Sequence, residues 1–208
     1  MFHLDVRWIF FDVGSTLIDE TDAYDHRVME MIAGTDISFS AFDSKRIELA
    51  KLGFDGNSEA IMHFGLKKTP WRWEYEKPFA DALETLEVLK EHGYHLGIIA
   101  NQVAGTAQRF ESWGLLKYFD VVAASAELKV AKPDKLIFKK ALKLAECQPH
   151  NAVMVGDRLD NDIRPAKALG MRTVWIRKGL AIHQPVDLGM NIADWVIDHL
   201  ADLKELFQ

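Results

Sequence analysis

Three times along this chain a short, unbroken apolar run stops at one or two polar residues and gives way to a helix-forming stretch. The runs are Trp8-Ile9-Phe10-Phe11 before Asp12, Leu96-Gly97-Ile98-Ile99-Ala100 before Asn101, and Ala152-Val153-Met154-Val155 before Gly156-Asp157. Apolar runs this short, with no alternation, suit strands covered on both faces, as in a parallel sheet. Asp120-Val121-Val122-Ala123-Ala124, Arg172-Thr173-Val174-Trp175-Ile176 and Trp195-Val196-Ile197 read as further strands. Helical patterns fill the gaps at 79–92, at 104–113 with Gly114 as a stop, at 134–146, and at 161–169 with Gly170 as a stop. This alternation predicts an α/β fold with a doubly wound parallel sheet, whose right-handed crossovers put every strand's carboxyl end along one edge. Ligands of open α/β sheets bind in a crevice at that edge. Asp12, Asn101 and Asp157 are therefore expected to converge.

Residues 19–77 break the rhythm. They hold no strand-like run, only amphipathic stretches near 24–32, 40–52 and 58–64, separated by Gly34, Gly53-Phe54-Asp55-Gly56 and Gly65. The expected organisation is a core of residues 1–18 and 78–208 and a helical cap, 19–77, folded over the crevice, with Pro78 marking the return to the sheet.

The 208 residues are enough for one such domain with a modest insertion. Hydrophobic residues at 49% and charged residues at 27% are globular values that argue against disorder. No apolar run nears the roughly 20 residues needed to span a bilayer. The opening segment, with His3, Asp5 and Arg7, lacks the pattern of a secretory signal, so a cytoplasmic location is expected. Cys147 is the only cysteine, which excludes an intrachain disulfide and a cysteine-cluster metal site; it reads as a buried structural thiol. A net charge of −6 argues against a nucleic-acid surface. The expected partner is a small molecule, not a nucleic acid or a membrane.

Two strand ends carry chemistry. Asp12 precedes Val13-Gly14-Ser15-Thr16-Leu17, which places a carboxylate on a tight turn, although it could simply cap that turn. Gly156-Asp157-Arg158-Leu159-Asp160-Asn161-Asp162 is an acidic cluster at another strand end, where Asn161 or Asp162 could also cap the following helix. Carboxylates brought together resist ionisation unless something positive sits among them. Mg²⁺, which takes oxygen ligands, meets that need. Lys132, fixed in an edge loop by Pro133, is the second positive candidate.

Together, Phe10 through Leu17, Gly97 through Asn101, Lys132-Pro133-Asp134 and Val155 through Met171 resemble the motifs of the haloacid dehalogenase-like hydrolase superfamily, in its branch with a helical cap after the first strand. The resemblance implies a Rossmann-like core and a Mg²⁺-dependent phosphohydrolase acting on a small phosphorylated molecule. It implies that Asp12 is the nucleophile and accepts the phosphoryl group, that Asp12, the Gly14 carbonyl and Asp157 bind Mg²⁺ with Asp162 behind them, and that Lys132 neutralises Asp12 and the phosphoryl oxygens. Asn101 and Lys132 would face the substrate. This is covalent catalysis with electrostatic stabilisation of the transferring group.

The chain departs from the pattern twice. Phosphatases resembling it usually carry a second aspartate two residues after the nucleophile as the acid and base, where Gly14 stands, and a hydroxyl residue where Ala100 stands. Acid–base help is worth about 10² to 10⁴ in rate, so Gly14→Asp is expected to speed the hydrolysis of alkyl phosphates. Asp19, Glu20, Asp22, Asp25 and His26 could reach back over the site, or form a solvated helix face. Trp71, Trp73 and Tyr75 either line the entrance or pack a hinge, and His183 has no visible partner. Two alternatives stand beside the phosphohydrolase: a catalytically silent metal- and phosphate-binding protein, and a phosphonatase-like hydrolase using Lys45 or Lys51 of the cap. A dehalogenase would leave the cluster from Asp157 to Asp162 unexplained.

Overall fold

The computed structural model describes residues 5–190 and 192–208. The opening residues 1–4, His3 among them, lie outside that range. The strands are β1 (Trp8–Phe11), β2 (Ile18–Asp19), β3 (Lys77–Pro78), β4 (His95–Ala100), β5 (Val121–Ala124), β6 (Ala152–Gly156), β7 (Arg172–Ile176) and β8 (Trp195–Ile197). The helices are α1 (Thr21–Ile32), α2 (Phe39–Lys51), α3 (Gly56–His63), α4 (Ala82–Glu91), α5 (Thr106–Ser112), α6 (Ser125–Leu128), α7 (Lys135–Leu144), α8 (Arg164–Lys167), α9 (Val186–Met190) and α10 (Leu203–Leu206).

Six strands form one parallel sheet in the order β5-β4-β1-β6-β7-β8. All six expected strands are present. The sheet is covered on both faces, as their unbroken apolar character requires. On one face Ile9 and Phe11 pack with Leu86 and Leu89 of α4, Phe110 of α5 and Leu203 of α10. On the other Phe10, Ile99 and Met154 pack with Ile137 and Phe138 of α7 and Ala166 of α8. Alternate residues of β1 thus serve opposite layers, the period-2 geometry of a strand.

The expected helix at 161–169 divides in two. Leu159–Ile163 is a π-helical turn and only Arg164–Lys167 is α-helical. Pro165 has no N–H to donate, and the wider turn carries Asp162 back toward the sheet instead of leaving it at a helix start.

Residues 19–77 contain α1, α2 and α3, which close a small core of their own from Val28, Met31, Ile32, Phe42, Ala60 and Ile61. The chain enters and leaves this segment through an antiparallel ribbon pairing Ile18 with Pro78 and Asp19 with Lys77. Cys147 is half-buried against the second core layer rather than enclosed, and its thiol donates to the Gln148 carbonyl. Among the described residues no helix is long and apolar enough to cross a membrane.

Candidate active site

β1 and β6 are neighbours in the middle of the sheet, so their carboxyl ends set Asp12 beside Asp157. The Asp12 amide still donates to the Val155 carbonyl at 2.9 Å, which holds its backbone in line with the sheet. The chain then turns tightly: the amides of Leu17 and Ile18 both donate to the Val13 carbonyl at 3.0 Å, with Ser15 at a φ of 53°. Gly156 ends β6, and a Cβ there would lie within 2.6 Å of the Asp162 carboxyl carbon. Glycine at that position is what lets Asp162 fold back into the site.

The carboxylate oxygens of Asp12, Asp157 and Asp162 include a set lying within 4.8 Å of one another. Lys132, only 4% exposed, reaches them from the loop after α6 and donates to Asp12 Oδ1 at 2.5 Å and Asp162 Oδ1 at 2.6 Å. Asp162 Oδ2 also accepts the Arg158 amide at 3.0 Å, so Asp162 serves the site and caps no helix. Against burial, which would lower it, Asp12 and Asp162 hold the Lys132 ammonium above its usual range. Asp157 forms no ion pair among the described residues. Burial, and then the charges of Asp162, Asp12 and Glu20, push its carboxyl well above the usual range. Burial likewise raises Asp162, with Lys132 opposing and Asp12 adding to the rise. One ammonium is too little positive charge for three carboxylates, and the all-oxygen donor set could hold a hard cation.

Of these groups Asp12 and Asp157 open into a cavity of about 390 Å³ whose other walls include Ser15, Glu20, Tyr24, Asp55, Gln102 and Arg158. Residues 53–57, from the loop after α2 into the first turn of α3, form part of that wall, so the helical segment lies over the sheet's carboxyl edge. Arg158 Nη1 bonds Asp55 Oδ2 at 2.9 Å and joins the two. Sequence reasoning passed over Arg158 and Tyr24. An arginine set among carboxylates beside a strand end was the available signal for the first; nothing local marked the second.

Asn101 lines the cavity, but its side chain is engaged with the Lys132 backbone. Its Nδ2 donates to the Lys132 carbonyl at 2.9 Å, and its Oδ1 accepts the Lys132 amide at 2.7 Å. It positions the lysine.

Of the five residues expected either to reach back or to stay on a helix surface, four have other partners. Asp19 accepts the Thr21 amide, Asp22 pairs with Lys77, Asp25 with Arg46, and His26 stacks on Tyr75. Glu20 alone enters the cavity wall. Burial pushes its carboxyl up to about 8, helped by the charges of Glu76, Asp12 and Asp19, with Arg109 opposing. Trp71 packs on Tyr24 and donates to Glu76 at 2.6 Å, whereas Trp73 is exposed and Tyr75 stacks on His26; none of the three lines the cavity. His183 is half-buried, and burial, then Lys51, lowers its pKa. Lys45 bonds Glu48 and Lys51 is exposed; neither lines the cavity, which leaves the phosphonatase-like alternative without its amine.

Comparison with known proteins places this architecture. Residues 9–176 match the haloacid dehalogenase-like hydrolase family, and the chain belongs to it. It is a hydrolase of the phosphatase-like kind. A glyceraldehyde 3-phosphate phosphatase of Pyrococcus furiosus is 32% identical, over 98% of this chain and 93% of that protein. Among solved structures, a HAD phosphatase from Thermococcus onnurineus is similar at a TM-score of 0.66 and 26% identity, covering 97% of each chain. The magnesium-bound HAD hydrolase YfnB of Bacillus subtilis, for which interdomain movement is described, shares the fold at a TM-score of 0.68 and 18% identity, covering 97% of this chain and 98% of that one.

Proposed function

We propose that this protein is a Mg²⁺-dependent phosphohydrolase that acts on a small phosphorylated molecule through an aspartyl-phosphate at Asp12, with residues 19–77 as a lid over the site. The observation that carries this reading is the meeting of Asp12, Asp157, Asp162 and buried Lys132 at the carboxyl edge of the sheet, where Asp12 and Asp157 face a cavity and Lys132 and Asp162 lie buried behind them. The match to a glyceraldehyde 3-phosphate phosphatase along nearly its whole length supports a small phosphorylated substrate.

In this reading Asp12, the Gly14 carbonyl and Asp157 hold Mg²⁺, with Asp162 behind them. The ion supplies charge neutralisation for the phosphoryl oxygens. Lys132 adds a fixed positive charge beside the nucleophile, held in place by Asn101. Asp12 attacks phosphorus, the bond to the leaving oxygen breaks, and water later releases phosphate from Asp12.

A phosphate-release assay with and without Mg²⁺ tests the proposal. The parent is expected to be active only with the ion, and Asp12→Asn to be inactive on every substrate. A second reading rests on Ala100, a methyl group where a hydroxyl would bond a phosphoryl oxygen: a silent protein that binds metal and phosphate. Mg²⁺-dependent binding of a phosphate analogue with no turnover of any phosphate would establish that reading instead.

A further inference from the structure

The phosphohydrolase reading leaves one step without a residue. An alkyl phosphate that loses its P–O bond releases an alkoxide, which needs a proton as it departs, and Gly14 can supply none. Five carboxylates line the cavity: Asp12, Glu20, Asp55, Asp157 and Asp160. Asp12 is bound to Lys132, Asp157 stands in the metal-holding set, and Asp55 and Asp160 are both paired with Arg158. The Glu20 carboxyl group forms no ion pair or hydrogen bond among the described residues.

Its position is specific. Glu20 is the N-cap residue of α1, yet its side chain makes no capping bond to the helix, unlike Ser38 and Asp55 at the starts of α2 and α3. It turns instead onto Gly14. A Cβ built on Gly14 would overlap the Glu20 carboxyl group, with Oε2 at 2.5 Å and the carboxyl carbon at 2.6 Å. A side chain at position 14 and the Glu20 carboxyl group therefore compete for one space beside the nucleophile. Gly14 leaves that space to Glu20, as Gly156 leaves room for Asp162.

We infer that the Glu20 carboxyl group, seated where a side chain at position 14 would lie, is the proton donor and acceptor of the reaction. The inference rests on the aspartyl-phosphate reading. In the first step an Asp12 oxygen bonds to phosphorus, the P–O bond to the leaving group breaks, and that oxygen takes the proton of the Glu20 carboxylic acid. In the second, the Glu20 carboxylate takes a proton from water as the water oxygen bonds to phosphorus. The Asp12–phosphorus bond breaks, releasing inorganic phosphate and restoring both carboxyl groups.

The test compares an alkyl ester, glycerol 3-phosphate, with an aryl ester, 4-nitrophenyl phosphate, whose leaving group departs as a stable anion. Glu20→Gln, unfolding at the parent's temperature, should lose about 10² to 10⁴ in kcat on the alkyl ester, the span of acid–base help. On the aryl ester it should release one equivalent of nitrophenolate in a burst and then stall, with acid-stable phosphate trapped on the protein, because only the water step still needs a base. Gly14→Ala, which displaces the carboxyl group, should behave the same way. Glu20→Ala combined with Gly14→Asp should recover alkyl activity over Glu20→Ala alone, whereas Gly14→Asp by itself, against the gain expected from sequence, should not exceed the parent because the new side chain displaces Glu20.

Alkyl turnover of Glu20→Gln within about twofold of the parent, while Asp12→Asn is inactive, would overturn the role of Glu20 and leave the aspartyl route standing. So would an equal loss on both esters with no burst, the mark of a merely structural residue. The same split produced by Tyr24→Phe and not by Glu20→Gln would assign the proton to the phenol one helical turn on. A parent that releases phosphate from neither ester would overturn both readings.

Discussion

Lys132 is the residue on which the site's electrostatics turn. It is buried between Asp12 and Asp162, and removing it leaves two carboxylates facing each other with no counter-charge. Breaking a buried ion pair from one side costs about 3 to 5 kcal/mol. Lys132→Met, which keeps the bulk of the side chain, is expected to lower the urea midpoint by that equivalent in EDTA and to abolish phosphatase activity. Mg²⁺ should restore part of the lost stability, since a dication bound only by the folded state supplies the missing charge. An unchanged midpoint in EDTA would show that the ammonium is not what holds these carboxylates together. The sequence reading assigned Asn101 to substrate, but its amide is used on both sides by the Lys132 backbone. A strand-end asparagine is visible in sequence; the group it bonds is 31 residues away.

At the scale of elements, the loop that carries Lys132 is anchored by the start of α7. Asp134 is the N-cap, and its carboxylate accepts the Leu136 amide at 2.9 Å, satisfying one of the donors a helix start leaves free. Asp134→Ala should destabilise the protein by about 1 kcal/mol in urea unfolding, since α7 also buries Ile137, Phe138, Ala141 and Leu142 and will not melt with its cap. No measurable loss would mean that the exposed carboxylate contributes little beyond what water supplies. The π-helical turn at Leu159–Ile163 shows the opposite relation between sequence and element. Its residues read as an ordinary helix start, and the departure follows from Asp162 being drawn to Lys132 and to the Arg158 amide.

Across the whole molecule, ion pairs tie the helical segment to the core at its return, where Glu76 meets Arg109 at 3.7 Å, and over the site, where Asp55 meets Arg158. Arg158 follows Asp157 and holds Asp55 at the start of α3. Both partners are partly exposed, at 39% and 28%, so the pair adds little to global stability, under about 1 kcal/mol. In the proposed lid it would bear instead on how often the segment lifts from the site. Arg158→Ala is expected to leave the unfolding temperature nearly unchanged while raising amide exchange at 56–59, because opening there needs no global unfolding. Unchanged exchange at those amides would mean that the apolar packing around Leu180 and Gly56 holds the segment down without the pair.

What could be read without the structure was whatever is local in the chain. Unbroken apolar runs identified the buried strands, and polar residues at their ends located the edge at which Asp12 and Asp157 meet. Lys132 was legible because a proline fixes it and an acidic site needs a cation. The tertiary structure alone decided which of the five polar residues among 19–26 lines the cavity, where Asn101 spends its amide, and which carboxylate Arg158 grips. Helical spacing says which residues share a face, not how that face is turned toward a sheet. Here the turn through Gly14 and the ribbon pairing Asp19 with Lys77 set the angle of α1, and that angle sends Glu20 inward while Asp22 and Asp25 remain on the surface.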